Sequence, residues 1–287
     1  MSGQLRSLKN RIRSVESTQK ITKAMEMVAT AKLKRYQGLV SQTAPYEESL
    51  RGVLTKLLRT GRPLHHPLLE KRAEKGIALL VITSDTGLCG SFNHDLVTTA
   101  KNFMKERSGK PLLIGVGKNG INSLSRAGQI WHATFKDTKT SQVESVIQEI
   151  NRLTQNLFYE KKVDAVYAVH SHFESKAVSR PIIEKLLPLS FAPEKSPSGS
   201  SDDYILEPDP ESLFVKLIPA VFESKLRMIF LESLVAEQTA RMNAMHQATE
   251  NASELIDTLV LLRNKVRQAA ITKELIEIVS GSKALKN

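Results

Sequence analysis

Between Ala220 and Ser280 the chain contains neither glycine nor proline. Alternating steps of three and four residues pick out Val221, Ser224, Met228, Leu231, Val235, Gln238, Met242, Met245, Thr249, Ala252, Ile256, Leu259, Arg263, Val266 and Ala270, and eleven of these fifteen are apolar. A stripe this narrow is a coiled-coil seam, not the broad face of a globular helix. At 1.5 Å per residue the helix would be about 90 Å long, too long for its own chain to wrap. A helix must run beside it, or other subunits must surround it. Pro208, Pro210 and Pro219 mark its possible starts. At the other end of the chain, Leu5, Leu8, Ile12 and Val15 keep the same spacing, and Ile21, Met25 and Val28 extend it after a shift of phase. Pro45 can kink this first helix without ending it, and the stretch from Arg62 to Pro67 reads as a loop. The first helix is the most economical partner for the last, the two running antiparallel.

The middle of the chain has a different rhythm. Short apolar runs at Ile77–Ile82, Pro111–Val116, Gln129–Thr134 and Asp164–Val169 alternate with helical patterns at Asp95–Arg107, Gly117–Ala127 and Ser141–Tyr159. Strand and helix in alternation predict a mostly parallel sheet. Val178–Leu189 is a further strand candidate, Pro193–Ser201 a flexible loop, and Tyr204–Leu206 a short edge strand. The predicted architecture is α/β: a long antiparallel coiled coil of N- and C-terminal helices with an inserted Rossmann-like α/β domain. Its divisions are a first helix over residues 1–60, the α/β insert over 61–208 and the long helix over 209–287.

Charge adds a direction to this picture. The net charge is +11, and residues 1–40 hold nine Lys and Arg against Glu16 and Glu26, whereas residues 211–287 carry ten basic and nine acidic side chains. A basic first helix suits an acidic protein surface, nucleic acid or anionic lipid, or is simply a solvated face. A near-neutral last helix and only 5% aromatic residues weigh against nucleic acid. Cys89 is the only cysteine, so neither an internal disulfide nor a thiolate zinc cluster can form. No signal-peptide core follows Met1, and the longest apolar run, Ile77–Ile82, is too short to span a bilayer; a soluble or peripheral protein is expected.

Candidate chemistry is sparse. Ser84–Asn93, with Gly87, Cys89 and Gly90, follows a strand and offers a tight structural turn, a partner contact, a phosphate cradle or a thiol nucleophile. Gly115–Gly120 poses the same choice, but no GKS/GKT follows and no dinucleotide fingerprint fits. His65-His66 and His170-Ser-His172 lack a third ligand at useful spacing. No catalytic residue, cofactor site or metal site is therefore assigned. The densest constellation lies in the helices: Ile21–Arg35 and Ala240–Ala252 both mix Ala, Met and basic residues. Small residues admit a neighbouring backbone and methionine adapts to irregular contacts.

These stretches, with Ser84–Asn93, Glu232–Asn251 and Arg267–Gly281, resemble the gamma-subunit family of F-type ATP synthases over essentially the whole chain. The resemblance implies a non-catalytic central rotor shaft. It would turn inside a ring of alpha and beta subunits, bind epsilon and the membrane c ring through its α/β domain, and couple proton flow to ATP synthesis or hydrolysis. It implies no cofactor and no nucleic acid. By the same resemblance, Arg267, Gln268, Thr272 and Glu274 meet a loop of a catalytic subunit, and Lys20, Lys23, Met25 and Lys32 lie on the face swept past acidic loops. Ala236, where the family often has Ser, and Gly281-Ser282, where it often has Gly-Ala, are small-for-small departures. The paired-cysteine insert of chloroplast members is absent. With no transit-like leader read in the sequence, the expected location is the cytoplasmic face of a bacterial plasma membrane.

Overall fold

The computed structural model describes residues 2–59, 65–107, 109–138, 140–175, 178–191 and 209–284. The predicted Pro193–Ser201 loop, the Tyr204–Leu206 strand and residues 62–64 of the first predicted loop lie outside the described residues. The chain divides into two compact units, residues 1–30 with 241–287, and residues 31–240.

Helix α1 spans Ser2–Arg59 and contains Pro45. Helix α5 spans Pro210–Ala284 and contains Pro219. Proline removes one backbone donor from a helix interior, yet both helices continue through it. Of the three candidate starts of α5, the structure uses Pro210, because Asp209 caps the helix. The Ser212 amide donates to Asp209 Oδ1 at 2.8 Å, Pro210 fills the first helical position where no N–H is needed, and Glu211 adds a negative charge to the first turn.

The larger unit holds a five-stranded sheet in the order β3-β2-β1-β4-β5. The strands are β1 (Ile77–Ile82), β2 (Leu112–Val116), β3 (Trp131–Phe135), β4 (Ala165–Ser175) and β5 (Val178–Leu187). The first four are parallel, and β5 pairs antiparallel with β4. Helices α2 (Phe92–Glu106), α3 (Lys118–Arg126) and α4 (Val143–Tyr159) connect them. Strand β1 is central and nearly all buried, as both faces of a parallel sheet are covered. Ala78, Leu80 and Ile82 face a core built with Ile147, Ile150 and Phe158 of α4, while Leu79 and Val81 face Leu96, Ala100 and Phe103 of α2.

The first turns of α5 belong to this sheet core. Phe214, Ile218, Phe222, Leu226 and Phe230 are buried against the α4 side, and no residue from 217 to 240 is exposed. This was not legible as a seam, since steps of four drift about 40° each and wind the stripe around the helix. Beyond residue 242 burial narrows to a single stripe. All fifteen positions from Val221 to Ala270 on the three-four spacing are buried or half-buried.

A carboxylate ties the entry of β1 to the sheet. Glu74 accepts hydrogen bonds from Lys185 Nζ at 2.7 Å, from Arg107 and from the Tyr167 hydroxyl. The Lys185 bond, aided by Arg107 and Tyr167, outweighs partial burial and holds the carboxyl down to about 2. A lowered folded pKa contributes stability that is complete above the ordinary Glu range and is lost as pH falls through about 2. Glu74→Gln is expected to cost about 1–2 kcal/mol at neutral pH after allowance for solvent screening, and much less near pH 2. Urea titrations at the two pH values measure that difference; an equal loss at both would contradict the linkage.

Candidate functional site

The smaller unit is an antiparallel helix pair. Thr22 of α1 and Thr249 of α5 share a hydrogen bond of 2.8 Å, and Glu26 Oε1 lies 3.2 Å from His246 Nδ1, so α1 positions rise as α5 positions fall. On α1 the buried or half-buried stripe is Leu5, Leu8, Ile12, Val15, Gln19, Thr22, Glu26 and Ala29. It keeps the three-four spacing without interruption. The expected phase shift to Ile21, Met25 and Val28 is therefore not the packing seam. Ile21 and Val28 are each 57% exposed and Met25 is half-buried. The seam stays in register because Thr22 and Glu26 find polar partners on α5, which lets two polar residues occupy it. The apolar Ile21 and Val28 are left on an outward face.

The basic residues share that outward disposition. Lys20, Lys23 and Lys32 are exposed, with Lys23 Nζ 3.0 Å from Glu26 Oε2. Near the end of α5, Arg267, Gln268, Thr272 and Glu274 are all exposed, and the Thr272 hydroxyl donates to the Gln268 carbonyl at 3.0 Å. Around them stand Ile271, Leu275, Ile276, Ile278 and Val279, all large, apolar and exposed. The heptad reading passed over these residues because it followed one stripe. The signal available was the apolar content on every side of the helix in Leu275–Val279.

The two glycine-bearing turns lie at the carboxyl ends of β1 and β2, where open α/β sheets bind ligands, but in the second the amides of residues 117–120 are all committed to the protein. Asp85 accepts from the amides of Lys118, Asp137 and Thr138, each at 3.0 Å. The Gly120 amide donates to Thr83 Oγ1 and the Gly117 amide to the Phe135 carbonyl. A carboxylate at the centre of these amides repels phosphate. Cys89 is 2% exposed, and Asn93 Nδ2 lies 3.2 Å from its sulfur. Of the histidines, His66 Nδ1 caps the short turn Pro67–Leu69, and His170 Nε2 lies 3.3 Å from Glu184. His172 Nδ1 lies 2.8 Å from Glu232. These contacts interlock loops and helices, while the candidate partner-contact residues Lys20, Lys23, Lys32, Arg267, Gln268, Thr272 and Glu274 are exposed on α1 and α5.

The family model for ATP synthase matches residues 4–285. The ATP synthase gamma chain of Heliobacterium modesticaldum is 38% identical, the match covering 98% of this chain and 99% of that one. The chain belongs to the ATP synthase gamma chain family. Two solved structures share the gamma chain's fold. A chain of the Euglena gracilis mitochondrial ATP synthase OSCP/F1/c-ring assembly superposes with a TM-score of 0.68 at 17% identity, covering 99% of this gamma chain and 95% of its own length. A chain of the rotor of the same Euglena enzyme gives 0.65 at 19%, covering 94% and 100%. Among the described residues of this gamma chain no helix is long and apolar enough to cross a membrane.

Proposed function

We propose that this gamma chain is the central rotor shaft of an F-type ATP synthase. It couples proton flow through the membrane sector to ATP synthesis, or hydrolysis, by turning inside the ring of alpha and beta subunits. The observation that carries the reading is the helix pair. Its seam is closed by its own chain, while its outward faces present both lysines and large apolar side chains. Such a surface needs surrounding protein, and a mixed, weakly directional one suits contacts that slide from neighbour to neighbour.

In this reading the chain divides into a first helix over 1–60, an α/β insert over 61–208 and a long helix over 209–287. The insert binds epsilon and the c ring and attaches the shaft to the membrane sector as a peripheral component, on the cytoplasmic face of a bacterial plasma membrane. Lys20, Lys23, Met25 and Lys32 pass the acidic loops of the catalytic subunits. Arg267, Gln268, Thr272 and Glu274 meet a catalytic-subunit loop near the end of α5. Nucleotide chemistry stays on the partner subunits.

The decisive experiment immobilises the purified complex by its ring and attaches a probe to the α/β insert. Added ATP should turn the probe, and turnover with a stationary probe would overturn the proposal. Cys89→Ala in the same complex should leave ATP turnover within about two-fold of the parent, since burying a smaller side chain at this turn touches no reacting group. Abolished turnover in a correctly assembled complex would point instead to thiol chemistry.

A further inference from the structure

The helix pair contains a polar layer with an exposed histidine at its solvent-facing edge. His246 of α5 has a carboxylate against each ring nitrogen: Glu26 Oε1 of α1 lies 3.2 Å from Nδ1, and Glu250 Oε1 of α5 lies 3.4 Å from Nε2. An imidazole donates from both nitrogens only when it carries both protons. The geometry points to a proton-sensitive clamp, in which protonated His246 bridges Glu26 and Glu250 and fastens α1 to α5, and neutral His246 releases one of the two carboxylates.

The surrounding charges support this. From α1 the cluster receives Glu26 and, through it, Lys23, whose ammonium is 3.0 Å from Glu26 Oε2. From α5 it receives Glu250. Two carboxylates and one ammonium leave a net charge of −1, which one proton on His246 neutralises. The Lys23 hydrogen bond holds the Glu26 carboxyl below its ordinary range against partial burial. Glu26 is therefore ionised wherever histidines titrate, between about pH 5 and 8. The clamp is closed while His246 carries both ring protons and loosens when it loses one.

Its location gives it leverage. Thr22 and Thr249 form their 2.8 Å hydrogen bond beside it, and Ala29 and Met245 are buried next to it. With Thr22, Thr249 and Ala29 in it, this layer has only Met245 as a large apolar side chain, so a polar contact makes up a larger share of the local cohesion than it would among Leu and Ile. Polar layers in coiled coils characteristically specify register; this one makes the strength of that specification depend on pH.

Hydrogen exchange of the full-length chain, corrected for intrinsic rates and followed at residues 20–30 and 241–252 from pH 5.5 to 8, tests the clamp. Protection should fall about two- to five-fold across the window, the range set by a few exposed ion pairs. His246→Lys, with a fixed charge, should stay protected throughout, and His246→Gln should show the weaker protection at every pH. Nitrogen shifts of the His246 ring should follow the same transition. A flat parental profile, a His246→Gln profile that retains the parental pH dependence, or no protection at any pH would each overturn the clamp. None of these results depends on rotation, so the rotor proposal stands or falls separately.

Discussion

Phe222→Ala is expected to destabilise the α/β unit by about 3–5 kcal/mol. Phe222 is fully buried where α5 meets the α4 side of the sheet, among Ile218, Leu226 and Phe230. Truncation removes most of the ring's transfer free energy and leaves a cavity walled by two rigid helices and a sheet, which cannot collapse into it. Trp131 is the chain's only tryptophan, and it packs against the α2 side of the same unit. Its fluorescence in urea therefore reports this unit directly. Phe222→Leu keeps most of the volume and should cost about 1.5 kcal/mol or less. A loss below about 1 kcal/mol for the alanine variant would mean that α5 is not integral to the core.

Gly117→Ala should be at least as damaging, about 4 kcal/mol or more, for a different reason. Gly117 follows β2 with φ of +86°, and an added Cβ would stand 2.2 Å from the Thr83 carbonyl oxygen and 2.6 Å from its carbon. Those are backbone atoms that no rotamer change can move. Thr83 is itself held by its hydroxyl bond to the Val116 carbonyl and by the Gly120 amide. Gly128 is the control. It also has positive φ, +78°, but nothing lies within 4 Å of its added Cβ, so Gly128→Ala should cost only the left-handed strain, about 1–2 kcal/mol. Comparable losses for the two variants would remove the close approach from the explanation. A glycine read as a possible phosphate cradle is thus required by the packing of β1 against β2.

The strand-helix rhythm of the middle segment was readable because each buried run is short, apolar and bounded by turn residues. Strand β3 is displaced from the expected Gln129–Thr134 to Trp131–Phe135, where its pairing with β2 shifts register between Leu113 and Ile114. Such an irregularity depends on the neighbouring strand and leaves no local signal. The Asp85 carboxylate shows the same limit. Its three acceptor bonds go to amides 33 to 53 residues away, a distance no motif scan spans. On α1 the apolar Ile21 and Val28 outweighed the polar Thr22 and Glu26 in the pattern, although the polar pair lies in the seam.

By itself the sequence determined the two long helices, the seam spacing on α5, the alternation that makes a parallel sheet, and the family. Each of these is written in local periodicity or in long stretches of matching residues. Only the tertiary structure decided which face of α1 closes against α5, that the first turns of α5 are part of the sheet core, and that the glycine turns are interlocked. The physical reason is partnership: whether Thr22, Glu26 or Asp85 can be buried depends on a hydrogen-bonding group supplied from far along the chain, and periodicity counts hydrophobicity without seeing that partner.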